Sequence, residues 1–108
     1  MIKKKQNIKK PILLNNFVIK VQNRYIDTEN QKKKREWFTT NLEFVFENDD
    51  YYIKEAIIKF DHIDDDNPEF FLQPGQFIKV FNGKLKFCEN CNEKNILIID
   101  KFQQEYER

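Results

Sequence analysis

Two cysteines, Cys88 and Cys91, stand in the stretch CENC, separated by two residues. Thiolates at that spacing ligate zinc, and a closed zinc site takes four ligands. One such pair supplies two, and the only other soft ligand in the chain is His62. Cys88 and Cys91 therefore read as a polar turn with two free thiols, the state of a reducing compartment. A zinc site completed by a partner is the alternative. A thioredoxin-type role needs the CxxC to open a helix after a strand in a βαβ unit, and the surrounding pattern offers none. Little else points to catalysis. Serine is absent from the chain. His62 is a single histidine beside acids, more often a surface group than a base. Asp64, Asp65 and Asp66 are adjacent carboxylates, more often solvated caps than a site for a hard cation. There is no Gly-rich phosphate loop. The expectation is a protein that is not an enzyme and needs no cofactor.

Binding chemistry is better represented. Single-stranded nucleic acid is held by a basic groove together with aromatic faces on which bases stack. Lys32, Lys33, Lys34 and Arg35 are consecutive, and Trp37 lies two residues further on. By alternation Trp37 shares a face with Thr39 and Asn41, with Lys20, Arg24 and Lys59 on strands that can line the same groove. These ten residues are the candidate contact, with DNA favoured over RNA. Trp37 against a core edge, with the lysines a solvated loop, is the competing reading. Glu43, Glu47 and Glu55 lie on or near the same strands and repel phosphate in part.

The elements that must position these residues follow from charge and periodicity. The first 35 residues carry eleven Lys or Arg against two acids, and the rest carry eight against sixteen. Each part thus has its own sign of charge. Charged residues are 34% and hydrophobic residues 40% of 108, the balance of one globular domain. No run approaches 18 apolar residues, so no membrane span is expected, and the charged start has no apolar stretch behind it, so neither is a signal peptide. Residues 1–14 read as a basic N-terminal tail, with Pro11 marking the entry to order. Residues 15–103 form the domain, and 104–108 are a short tail.

Period-two alternation predicts five strands, over 15–26, 37–47, 51–60, 76–87 and 95–102. In the second, Phe38, Thr40, Leu42, Phe44 and Phe46 face one way and Trp37, Thr39, Asn41, Glu43, Val45 and Glu47 the other. Ala56, Ile58 and Phe60 are the inward set of the third. Residues 27–36 are read as a polar loop. Asn67-Pro68 suits a helix start, with Phe70, Phe71 and Leu72 docking one helical turn on the core. Asn82-Gly83 is either a hairpin turn or a bulge bending one long strand. Phe77, Phe81 and Phe87 are read as sharing one face of the fourth strand, opposite Ile78 and Val80, and are the candidate partner interface.

Five antiparallel strands with a short helix between the third and fourth describe an all-β Greek-key barrel, the OB-fold. Pro74-Gly75 would make the sharp turn into the fourth strand and Asn82-Gly83 its kink. The stretch LQPGQFIKVFNGKLKF resembles the fourth strand of OB-folds in the replication protein A and telomere-end-binding families, and YYIKEAIIKFDHI resembles the strand before it. That resemblance covers roughly residues 15–103. It implies a small nuclear subunit or module of a single-stranded-DNA-binding, telomere- or replication-type complex (a telomerase accessory among them), working with other protein subunits. A protein-interaction subunit without direct nucleic-acid contact is the alternative.

Overall fold

A computed structural model describes residues 10–30, 32–61, 72–89 and 93–105. The described part is all-β: β1 (Ile12–Leu14), β2 (Phe17–Asp27), β3 (Lys33–Phe46), β4 (Asp49–Phe60), β5 (Gln76–Cys88) and β6 (Lys94–Glu105). The helix expected before β5, with His62 and Asp64–Asp66, lies outside the described residues.

β2 to β6 close into a five-strand, OB-like barrel in the order β5-β2-β3-β4-β6, with β6 returning to β5. Four of its neighbouring pairs are antiparallel and β4–β6 is parallel, from Ile57 opposite Ile96 to Phe60 opposite Ile99. This corrects the five wholly antiparallel strands expected from the sequence. The reason is geometric: directions cannot alternate all the way around a ring with an odd number of strands, so at least one pair must run parallel. β1 is a strand within the segment expected as tail. It pairs antiparallel with β5, with Ile12 opposite Leu85, Leu13 opposite Lys84 and Leu14 opposite Gly83. It buries Ile12 and Leu14.

The core is built from alternate residues of the barrel strands: Ile19 and Val21, Trp37, Ala56, Ile58 and Phe60, Ile78, Val80 and Leu85, Leu97 and Ile99, closed by Leu72. Each Val, Leu, Ile or Phe side chain of this set stabilises the fold by roughly 1.5–3 kcal/mol on burial. The inward set expected for β4 is the one found. Two strands break the alternation. In β3 the core-facing buried residues are Trp37 and Thr39 and then Leu42, and in β4 they are Ile53 and then Ala56, Ile58 and Phe60. Both strands change phase together beside Asn41, whose φ is 55°. The pairing keeps one register on either side of that point, Thr40 opposite Glu55 and Leu42 opposite Ile53. In β5 the ladder to β6 shifts between Val80 and Gly83, so Asn82-Gly83 is a bulge in one long strand and not a hairpin turn.

That bulge separates the three phenylalanines expected on one face. Phe77 is exposed and Phe81 half-buried before it, whereas Phe87 falls in phase with buried Leu85 and packs against the core. Gly83 is required by close packing. A Cβ there would sit 3.1 Å from Val80 Cγ1, 3.3 Å from Leu97 Cδ1 and 3.4 Å from the Leu14 carbonyl oxygen. Gly83→Ala is expected to destabilise the barrel by about 1–3 kcal/mol, the usual cost of overpacking, read as a lower midpoint in urea denaturation. Gly75 has φ +85° and follows Pro74. The Gln76 amide donates to the Gln73 carbonyl at 3.1 Å, the pattern of a type II turn, so the expected sharp entry to β5 is present.

Candidate nucleic-acid interface

The polar stretch 27–36 is partly strand. β2 runs to Asp27 and β3 starts at Lys33, with Tyr25 opposite Arg35, Ile26 opposite Lys34 and Asp27 opposite Lys33. The Thr28 amide and hydroxyl both donate to the Lys32 carbonyl, at 2.9 and 2.8 Å, and close the turn. Lys32, Lys33 and Lys34 are exposed on this hairpin, and Arg35 is half-buried.

Trp37 is not an outward stacking platform. It is 5% exposed and part of the core, because the face it shares with Thr39 is the one turned to Ala56 and Ile58. Thr39 is likewise buried, at 1%. The aromatic ring exposed on the hairpin is Tyr25, at 61%. The Arg35 guanidinium lies 5.4 Å from the Tyr25 ring centre and 5.9 Å from that of Trp37, and its Nη2 donates to the Tyr25 hydroxyl at 2.8 Å. Arg35 is thereby held between the core indole and the exposed phenol. Periodicity places Tyr25 in a strand but gives it no role. The signal that could have found it is a tyrosine opposite the basic run once the two strands are paired.

The remaining candidates divide between different parts of the surface. Lys59 is exposed and lines, with Lys34, Arg35 and Trp37, a pocket of about 110 Å³ beside the hairpin. Arg24 is turned to a different group of side chains. Its Nε and Nη2 donate to Glu36 Oε1 at 3.0 and 2.9 Å, it pairs also with Glu55, and it lies 4.4 Å from the Phe38 ring centre. Burial lowers the Arg24 pKa, but the bonds and charges of Glu36 and Glu55 outweigh it and hold the pKa above its ordinary value. Arg24 is thus committed to two carboxylates. The groove of about 380 Å³ that it lines with Lys54, Glu55, Phe87, Glu93 and Lys94 mixes both signs of charge, so it attracts phosphate weakly.

Lys20, Thr39 and Asn41 line a separate cleft between β2 and β3. Lys20 is exposed with its Nζ 6.0 Å from the Phe77 ring centre, and Asn41 Oδ1 accepts from the Tyr52 hydroxyl at 2.6 Å.

No protein family, curated protein or solved structure matches this chain. Cys88 is disulfide-bonded, which corrects the expectation of free thiols and removes its sulfur from the thiolate form that a metal requires. Cys91 lies outside the described residues. Among the described residues no three His, Cys, Asp or Glu side chains are grouped to hold a metal ion.

Proposed function

We propose that the chain is a binding module for single-stranded nucleic acid, DNA in preference to RNA, acting through the β2–β3 hairpin and not through catalysis. The observation that carries this reading is the exposed Tyr25 ring, braced by Arg35 and flanked by exposed Lys32, Lys33 and Lys34. An aromatic face supplies sequence-tolerant stacking and the lysines supply phosphate contacts. Lys59 extends the basic surface on the barrel side. The resemblance of the β5 pattern to the replication protein A and telomere-end-binding OB-folds supports a place in a nuclear replication or telomere assembly.

The test is fluorescence anisotropy of a labelled oligothymidine of about 15 nucleotides, near the upper site size of one OB-fold, titrated with the full chain at low salt. Tyr25→Ala is expected to weaken binding by about 5- to 150-fold, the equivalent of roughly 1–3 kcal/mol for one stacked base. Absence of binding by the folded wild-type chain overturns the proposal.

A second reading is a protein-interaction subunit of a larger assembly. It is favoured by the exposed apolar side chains Leu13, Val18, Val45 and Phe77, which all line the cleft between β2 and β3.

A further inference from the structure

The pairing of β2 with β3 ends at Gln22 opposite Phe38. Before that point, Phe17–Val21 of β2 pairs with β5. Beyond it, β3 pairs with β4 alone. The two strands diverge around a cleft of about 640 Å³, one wall being Phe17–Lys20 and the other Thr39–Phe46. Among the described residues no strand lies against the second edge of β3 along this wall.

A strand edge presents a row of backbone donors and acceptors, and proteins commonly protect such edges with Lys, Pro or a covering segment. The sequence from 39 to 46, TTNLEFVF, holds neither Lys nor Pro. Four of the five large hydrophobic side chains exposed among the described residues, Leu13, Val18, Val45 and Phe77, line the same cleft.

We infer that this cleft takes an extended strand of a partner protein, which adds to the edge of β3 and lays the apolar side chains of one face, at alternate positions, against exposed Val18 and Val45. Backbone pairing would supply affinity, and the apolar wall would select the side chains. The cleft is bounded on its far side by β2, so it suits a single strand better than the edge of a second barrel. The inference is independent of nucleic-acid binding at the hairpin.

The test begins with a random twelve-residue peptide library displayed on phage, selected on the full chain, with the enriched peptides synthesised and their affinities measured. Enriched peptides are expected to carry apolar residues at alternate positions. Methylating their backbone nitrogens at alternate residues is expected to weaken binding about tenfold or more by removing ladder donors. Val45→Lys, at an exposed position, is expected to weaken it similarly while oligothymidine binding is retained.

Four results overturn the inference: no enrichment, equal binding by the methylated peptides, peptides displaced by oligothymidine, or a dimer of the wild-type chain that Val45→Lys dissolves. The last would make a second copy the occupant. The methylated peptides leave the protein untouched, so that comparison stands even if the Val45 variant folds poorly. Loss of oligothymidine binding alone would count against the hairpin and not against the cleft.

Discussion

Trp37→Ala is expected to destabilise the protein by about 3–5 kcal/mol, the range for truncating a buried large aromatic side chain. The indole is 5% exposed and belongs to the cluster that includes Ala56, Ile58 and Phe60. Its removal leaves a cavity that the rigid barrel wall refills only in part. Against a usual total stability of roughly 5–15 kcal/mol, this is a large fraction. Urea denaturation followed by far-ultraviolet circular dichroism measures it. Trp37→Phe is expected to retain more of the stability, because it preserves an aromatic volume in the same place. A Trp37→Ala variant as stable as the wild type, but deficient in oligonucleotide binding, would show the indole acting at the surface instead.

The second large effect concerns charge. Lys32, Lys33 and Lys34 are exposed, so replacing all three with alanine is expected to change stability by only a few tenths of a kcal/mol at each position. Its effect on nucleic-acid affinity is expected to be large. Each phosphate neutralised on a single strand contributes about 0.7 to the slope of log affinity against log salt. Losing three such contacts flattens that slope by about 2 and weakens binding by about 100-fold at 0.1 M salt relative to 1 M. Anisotropy titrations over a salt series measure both. An unchanged slope in the folded triple variant would remove these lysines from the interface. The tryptophan beside the basic run is thus expected to act through stability, and the lysines of that run through binding.

The five principal strands were legible because alternation is a local property of an extended backbone with one buried face. Ala56, Ile58 and Phe60 were assigned inward on that basis and are buried. Pro74-Gly75 was legible for a different local reason, since glycine adopts the positive φ that the turn needs. The barrel class followed from the number and order of these strands. Alternation, however, defines two faces without saying which one is inside. For β3 that choice belongs to its pairing with β4, which turns Trp37 and Thr39 to the core and then changes phase beside Asn41. For β5 it belongs to the bulge at Asn82-Gly83, which moves Phe87 out of the face of Phe77.

The candidate site was legible in its charge and not in its aromatic component. Lys32 to Arg35 form a basic cluster in any fold, because they are consecutive. Tyr25 joins them only when the β2–β3 register places it opposite Arg35, ten residues away in sequence. Arg24 was equally available by sequence, but the fold brings Glu36 and Glu55 to it. By itself, the sequence determined the strands, the tight turn and the concentration of positive charge, all of which depend on neighbouring residues. Only the tertiary structure decided the parallel closure of β4 on β6, the burial of Trp37 and the exposure of Tyr25, because each depends on which distant strand lies alongside.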